Sequence, residues 1–357
     1  MMSRTRNIDW VLIAAIGIFA CASLIALKSF NAHFFWSQLV WFILGFFVIG
    51  IGSQINWRWL SYQPWFRHGF YWLSVAHLVI ANVQRTTIRG SKGWIVFGDF
   101  QFQPAEFAKL ALILTLAVFF SRRHVAAWHG KNILLSCMYM AIPTVLIVIH
   151  PDLGSAVVMG ALWLSFLLLS GVNKKRLAIG CLIAAVAAML LWSFVLAPYQ
   201  KDRILGFVFT ERDPLGINYN IVQSKIAIGS AGWFGKGFGA GTQTQLHFLP
   251  EAQSDFLFAA FIEEWGIVGG MALLTTFIVL IYRLVAAGLR ARDNYARFVV
   301  LGTGCFFIVH FFINVGSNVG LMPVTGITFP FFSYGGSNVL TSAALIGIIQ
   351  RITLESQ

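Results

Sequence analysis

Residues 249–258, Leu-Pro-Glu-Ala-Gln-Ser-Asp-Phe-Leu-Phe, set two carboxylates, Glu251 and Asp255, at the threshold of a long apolar run. A carboxylate at such an edge keeps its charge only where water, a polar partner or a substrate reaches it, so both acids are candidates for acid-base or ligand-binding chemistry. Asp255 equally suits a helix N-cap, accepting from first-turn amides. From the residues alone both roles stay open. A second set, Glu106 and Lys109, lies inside another apolar run at i and i+3, on one helix face. Two charges in hydrocarbon read as a structural ion pair turned into a bundle, with a proton or ion relay as the functional alternative.

Cations come next. Arg85, Arg89 and Lys92 precede Trp94, and Lys225 and Lys236 stand in a later polar stretch. Arginine and lysine there would bind phosphate oxygens through charge-assisted hydrogen bonds, and a solvated loop is the plain alternative. Asp152, in His150-Pro151-Asp152-Leu153-Gly154-Ser155, reads as an N-cap. The histidines show no i, i+4 pairing, so no dedicated metal site is indicated, while a divalent cation shared between carboxylates and substrate phosphates stays open. Glycine recurs at 229, 232, 235, 237, 239 and 241. No strand-turn-helix context supports a nucleotide loop there, which leaves a turn or a backbone approach to a ligand.

The elements that position these residues are apolar helices. The 357-residue chain is 58% hydrophobic and 11% charged, with mean hydropathy +0.76, far too apolar for a water-soluble fold. Apolar runs near residues 10–27, 35–53, 68–83, 104–120, 132–149, 153–171, 177–197, 255–282, 298–317 and 332–350 predict about ten spanning helices. The fold class is an all-α polytopic membrane protein, one membrane domain over 1–357, with both termini on one side. With the amino terminus inside, 15 of the 25 basic residues and three acids fall on the inner segments, so the whole net charge of +12 belongs to that face. Scattered over short loops facing anionic headgroups, these residues do not indicate nucleic acid. The amino-terminal run reads as an uncleaved first span. All four cysteines fall in apolar runs, and no disulfide framework is indicated.

Two polar segments remain on the outer face, about 84–103 and 197–254, the second between spans seven and eight and carrying part of the active region. It is too long to lack structure, and Asn220 to Ile228 predicts a short surface helix. Residues 318–338 carry no charge but include two prolines and four glycines. Non-helical backbone at membrane depth must be buried by protein or line a cavity, so this segment is expected to dip in beside the active region.

Several strings match a known pattern together and in order. Gln103-Pro104-Ala105-Glu106 with Lys109, Pro151-Asp152-Leu153-Gly154, Pro250-Glu251 with Asp255-Phe256, and Pro323-Val324-Thr325-Gly326 with Ser333-Tyr334-Gly335-Gly336 resemble the SEDS (shape, elongation, division and sporulation) family. Asp213-Pro214-Leu215-Gly216, Gln223-Ser224-Lys225 and Gly241-Thr242-Gln243 resemble its rod-shape RodA branch more than its division branch. The resemblance implies a peptidoglycan glycosyltransferase that polymerises lipid II at the outer face of the bacterial cytoplasmic membrane, with both termini cytoplasmic. It implies Asp255 as the catalytic residue, Glu106 and Lys109 as an intramembrane pair, and as partners a class B penicillin-binding transpeptidase and other elongation-complex membrane proteins. Two departures, Gly93 before Trp94 and His150 before Pro151, weaken the carry-over of phosphate contacts to the first outer loop and leave Lys92 its best cation. Lys92, Lys225, Lys236 and Glu251 are the candidate substrate-binding residues. A lipid-precursor flippase and a non-catalytic scaffold are the rival readings.

Overall fold

Apolar runs become helices because a backbone in lipid must satisfy every N–H and C=O within its own segment. The computed structural model describes residues 8–84, 93–97, 100–123, 130–171 and 218–356, with isolated positions between 175 and 216. In chain order its helices are α1 (Trp10–Phe30), α2 (Ala32–Gly52), α3 (Trp57–Tyr62), α4 (Pro64–Gln84), α5 (Pro104–Arg122), α6 (Gly130–Ile149), α7 (Leu153–Leu169), α8 (Tyr219–Ser230), α9 (Thr242–Gln245), α10 (Leu257–Arg290), α11 (Asn294–Val319) and α12 (Gly336–Ser356). Before α5, β1 (Ile95–Phe97) and β2 (Phe100–Phe102) pair antiparallel. Among the described residues seven helices are long and apolar enough to cross a membrane, and α7 is a shorter apolar one. The expected third span coincides with α4, and the expected seventh, 177–197, lies largely outside the described residues. The chain is a multi-pass membrane protein.

Helix α5 is the central post. Packed by α4, α6, α7, α11 and α12, it is buried along nearly its whole length, so the charges it carries face protein rather than lipid. In lipid, burying an apolar side chain brings no hydrophobic gain, and close packing and interhelical hydrogen bonds hold the helices together. Helices α2 and α12 approach through small residues, with Gly52 against Gly347 and Gly45 against Val339 and Ala343.

Polar contacts pin the two ends. At one, the Asp9 carboxylate takes Arg283 Nη2 at 2.7 Å and Nε at 2.9 Å, and the Asp9 backbone exchanges two hydrogen bonds with Gln350. Arg58 and Asp293 pair at 3.1 Å at the same end. The amino end of α1 and the carboxyl end of α12 thus share one face, and Asp255 lies at the other end of α10.

Helix α10, at 34 residues, runs further than the expected 255–282 and is broken at Gly266 (φ 73°, ψ −177°). Into the break threads the glycine-rich stretch. Ile267 and Val268 donate to the carbonyls of Gly232 and Trp233, while Lys236 and Gly237 donate to those of Glu263 and Glu264. A side chain at Gly235 would overlap the Glu264 carbonyl, and one at Gly266 the Trp233 carbonyl. Of the two readings left open for this stretch, the structural one describes it, because two of its amides are used by the helix it crosses. The expected surface helix is α8.

Candidate active site

The segment Gly320 to Gly335 runs without helix between α11 and α12, and Ile327, Phe329, Phe331, Phe332 and Ser333 are buried in it. It dips into protein as expected. Phe329 anchors it, with ring centroids 5.3 Å from Phe19, 5.3 Å from Phe311 and 5.4 Å from Phe332. Its backbone is satisfied by side chains from two helices, α11 and α2. Asn314 Nδ2 donates to the Ile327 carbonyl at 2.9 Å, His310 Nδ1 lies 3.1 Å from the Thr328 carbonyl, and Gln38 bonds Ser333 and Gly335.

Beside this segment stands the Pro-Glu loop. Glu251 takes a left-handed φ of 52°, a conformation costly for a side chain. The turn it makes collects the N–H groups of Ser254 and Asp255, each 3.1 Å from the Glu251 carbonyl, and Ser254 Oγ donates to its carboxylate at 3.1 Å. Tyr334 N–H donates to the Gln253 carbonyl at 3.0 Å, tying the two segments together.

Asp255 does not occupy the cap position that its place in the chain suggested. Helix α10 starts at Leu257 with Phe256 at the cap, and the Ala259 N–H is taken at 3.0 Å by Asn318 Oδ1 from α11. Asn318 Nδ2 in turn donates to the Asp255 carbonyl at 2.8 Å, and Asn314 Nδ2 donates to the same oxygen at 3.1 Å. Two asparagines one helical turn apart therefore cap α10 and clamp the Asp255 backbone together. The Asp255 carboxylate faces Gly326, where an added side chain would lie 4.0 Å from Oδ2. The α10 amino terminus beside it supplies a partial positive charge suited to an anionic group.

Asp152 does cap a helix. Its Oδ1 accepts from Ser155 N–H at 2.9 Å, and its Oδ2 from Gln103 Nε2 at 3.2 Å, which joins the α7 start to the α5 start. Gln103 N–H donates to Ser337 Oγ at 3.0 Å, drawing in α12. One turn further, Lys109 Nζ meets Glu106 Oε1 at 2.7 Å, both side chains buried. His310 Nε2 at 3.3 Å from Lys109, and Asn338 Nδ2 donating to Glu106 at 3.2 Å, complete a four-residue network between α5, α11 and α12.

The candidate cations fall differently. Lys92, like Arg85 and Arg89, lies outside the described residues. Lys225 is exposed, and its ammonium lies over Gly320 at the α11 carboxyl end, where helix carbonyls favour a cation. Lys236 Nζ is bound by Glu263 Oε1 at 2.7 Å and Thr242 Oγ1 at 2.8 Å. Glu263 and Glu264, absent from the candidates drawn from sequence, hold the glycine-rich loop. Glu263 accepts from Gln243 N–H at 3.0 Å and Thr244 Oγ at 3.1 Å, and Glu264 from Gly239 N–H at 3.2 Å and from Ser29 Oγ. Two acids within an apolar run were the available signal. The i, i+4 pair Asn314 and Asn318 offered another. Among the described residues no three His, Cys, Asp or Glu side chains converge as a metal site.

Residues 4–357 match the cell cycle protein family of FtsW, RodA and SpoVE. The chain belongs to this family. It is 36% identical over 309 residues to the peptidoglycan glycosyltransferase MrdB of Escherichia coli K12, covering 87% of this chain and 82% of that one. It is 32% identical over 364 residues to the probable peptidoglycan glycosyltransferase FtsW of Coxiella burnetii, covering 98% and 96%. A solved chain from work on polymerisation and crosslinking by a peptidoglycan synthase complex matches with a TM-score of 0.82 at 28% identity, covering 98% of both chains. The rod shape determining protein RodA of Thermus thermophilus matches with a TM-score of 0.73 at 25% identity, covering 97% of both.

Proposed function

We propose that this peptidoglycan glycosyltransferase polymerises lipid II at the outer face of a bacterial cytoplasmic membrane, in the elongation branch of the family, with Asp255 as its catalytic carboxylate. The observation that carries the reading is the clamp on Asp255. Asn314 and Asn318 hold its backbone and relieve it of capping duty, leaving its carboxylate at the junction of the Pro-Glu loop, the buried segment and the α10 amino terminus. Chain growth requires a sugar hydroxyl to attack an anomeric carbon while a lipid pyrophosphate departs. Asp255 orients that hydroxyl and accepts its proton late, since a sugar hydroxyl is too weak an acid to ionise beforehand. The α10 amino terminus and outer-face cations offset charge on the leaving pyrophosphate. Lys225 and Lys92 suit this role, whereas Lys236 is already paired with Glu263. Glu251 shapes the loop through its turn.

The gathering of Arg58 and Arg283, with Asp9 and Asp293, at the end remote from Asp255 supports cytoplasmic termini and an outer catalytic face, since basic residues favour the inner side. The likeness to a chain from a synthase complex supports a crosslinking partner, for which a class B penicillin-binding transpeptidase is the expected class. The test is Asp255→Asn. The described bonds made by this residue's backbone are unaffected by the change. Expected is a variant that folds like the wild type yet forms no glycan from purified lipid II in detergent. Polymerisation at the normal rate removes Asp255 from the chemistry, and a wild-type protein that forms no polymer when supplied with its transpeptidase removes the polymerase reading itself.

A further inference from the structure

At the end of the molecule remote from Asp255, a cavity of about 300 Å³ opens between α4, α5 and α6. Three guanidinium groups face it, Arg67 from the first turn of α4 and Arg122 and Arg123 from the end of α5. Other arginines at this end find carboxylates: Arg58 takes Asp293, Arg283 takes Asp9, and Arg351 takes Glu355. Among the described residues the three at the cavity take none. Arg67 bonds the neighbouring His68 ring at 2.9 Å, Arg122 donates to the Tyr62 carbonyl at 3.3 Å, and Arg123 lies over the Phe119 ring at 4.4 Å. Among the described residues these contacts bring no opposite charge to the three guanidinium groups and occupy few of their donors. Thr115, buried in the wall, and Tyr139 bring hydroxyls to the same space.

The remaining wall is apolar, and the helices that form it look out on lipid. Leu134 and Met138 of α6 and Trp65 and Trp72 of α4 are exposed. Tryptophan at such a level is typical of the membrane interface. A ligand here meets cations and hydroxyls at one side and hydrocarbon at the other.

We propose that this cavity binds the phosphodiester headgroup of an anionic phospholipid of the inner leaflet, held by Arg67, Arg122 and Arg123, with Thr115 and Tyr139 as further donors. Basic pockets between helices at the inner end of membrane proteins are suited to such headgroups. The planar guanidinium fork bonds phosphate oxygens two at a time, which distinguishes this site from general attraction to a charged surface. The inference does not depend on the glycosyltransferase reading.

Delipidated protein in neutral detergent would be titrated with phosphatidylglycerol, phosphatidylcholine or inorganic phosphate while the thermal unfolding midpoint is followed. Expected is a rise with phosphatidylglycerol alone, and a weakening of that response by about tenfold in concentration for Arg122→Gln/Arg123→Gln, the loss of one good charge-assisted contact or more. Equal stabilisation by phosphatidylcholine overturns the headgroup assignment. Saturable stabilisation by inorganic phosphate that abolishes the lipid response assigns the site to a free anion and overturns the lipid. Should the double variant not fold, Thr115→Val replaces it. The wild-type comparison also stands by itself: no preference for phosphatidylglycerol refutes the proposal.

Discussion

Asn318→Ala tests whether the clamp places Asp255. The wild-type side chain is fully buried and makes three bonds: Oδ1 accepts from Ala259 N–H at 3.0 Å, and Nδ2 donates to the Asp255 and Asn314 carbonyls, each at 2.8 Å. Alanine strands the Ala259 N–H where water does not readily replace the partner, costing about 1–3 kcal/mol, and removes two bonds worth about 1 kcal/mol each. Asn314 still holds the Asp255 carbonyl at 3.1 Å, so the total stays near about 3–5 kcal/mol and the fold survives. With Asp255 in its proposed role, activity suffers more, because a shift of about 1 Å at a catalytic group costs roughly 100-fold. The assay is glycan formation from lipid II in detergent, with thermal unfolding run in parallel. Asn318→Asp separates the two functions of the side chain. It keeps an acceptor for Ala259 but turns an oxygen toward two carbonyls. Under the clamp it is worse than alanine, and under capping alone it matches wild type. An Asp variant with full activity, or an Ala variant with unchanged rate and midpoint, refutes the reasoning. Adding Asn314→Ala should give non-additive losses, by about 0.5–3 kcal/mol, because both asparagines serve one oxygen.

Gly235→Ala should prevent recovery of folded protein, since its φ of 79° is strained for alanine and its Cβ would overlap the Glu264 carbonyl; Gly237→Ala, with φ 100° but open space, should lower stability by only about 1–3 kcal/mol in thermal unfolding. Glu106→Gln or Lys109→Met alone leaves a buried charge unpaired and should cost roughly 3–5 kcal/mol, whereas the double variant should recover most of that midpoint loss. Burial holds His150 below its ordinary value of 6.5, with Asp152 partly opposing. The unfolded chain therefore takes up the proton first, and stability present above pH 6.5 should decline as pH falls below it, a slope that His150→Gln should reduce in unfolding measured across pH.

Apolar run length was enough to read the membrane class and most of the helices, because lipid forces each span to satisfy its own backbone. The uncharged stretch after Asn318 betrayed its burial through its prolines and glycines. Asp255, Glu106 and Lys109 were legible as charges in the wrong solvent, and the ordered strings gave the family. Glu263 and Glu264 carry the same signal. What chain order did not reveal is which partner each polar group meets. Asn318, 63 residues from Asp255 in the chain, takes over the capping that Asp255 seemed placed to do. Lys236 is drawn to Glu263 at a helix break that hydropathy does not register, since Gly266 interrupts α10 without interrupting its apolar character. Arg67 and Arg122 are 55 positions apart, and they share a cavity because α4 and α5 pack side by side. Pairings of this kind arise from folding: a span's composition selects its solvent, but its rotation and depth are set by the helices it packs against.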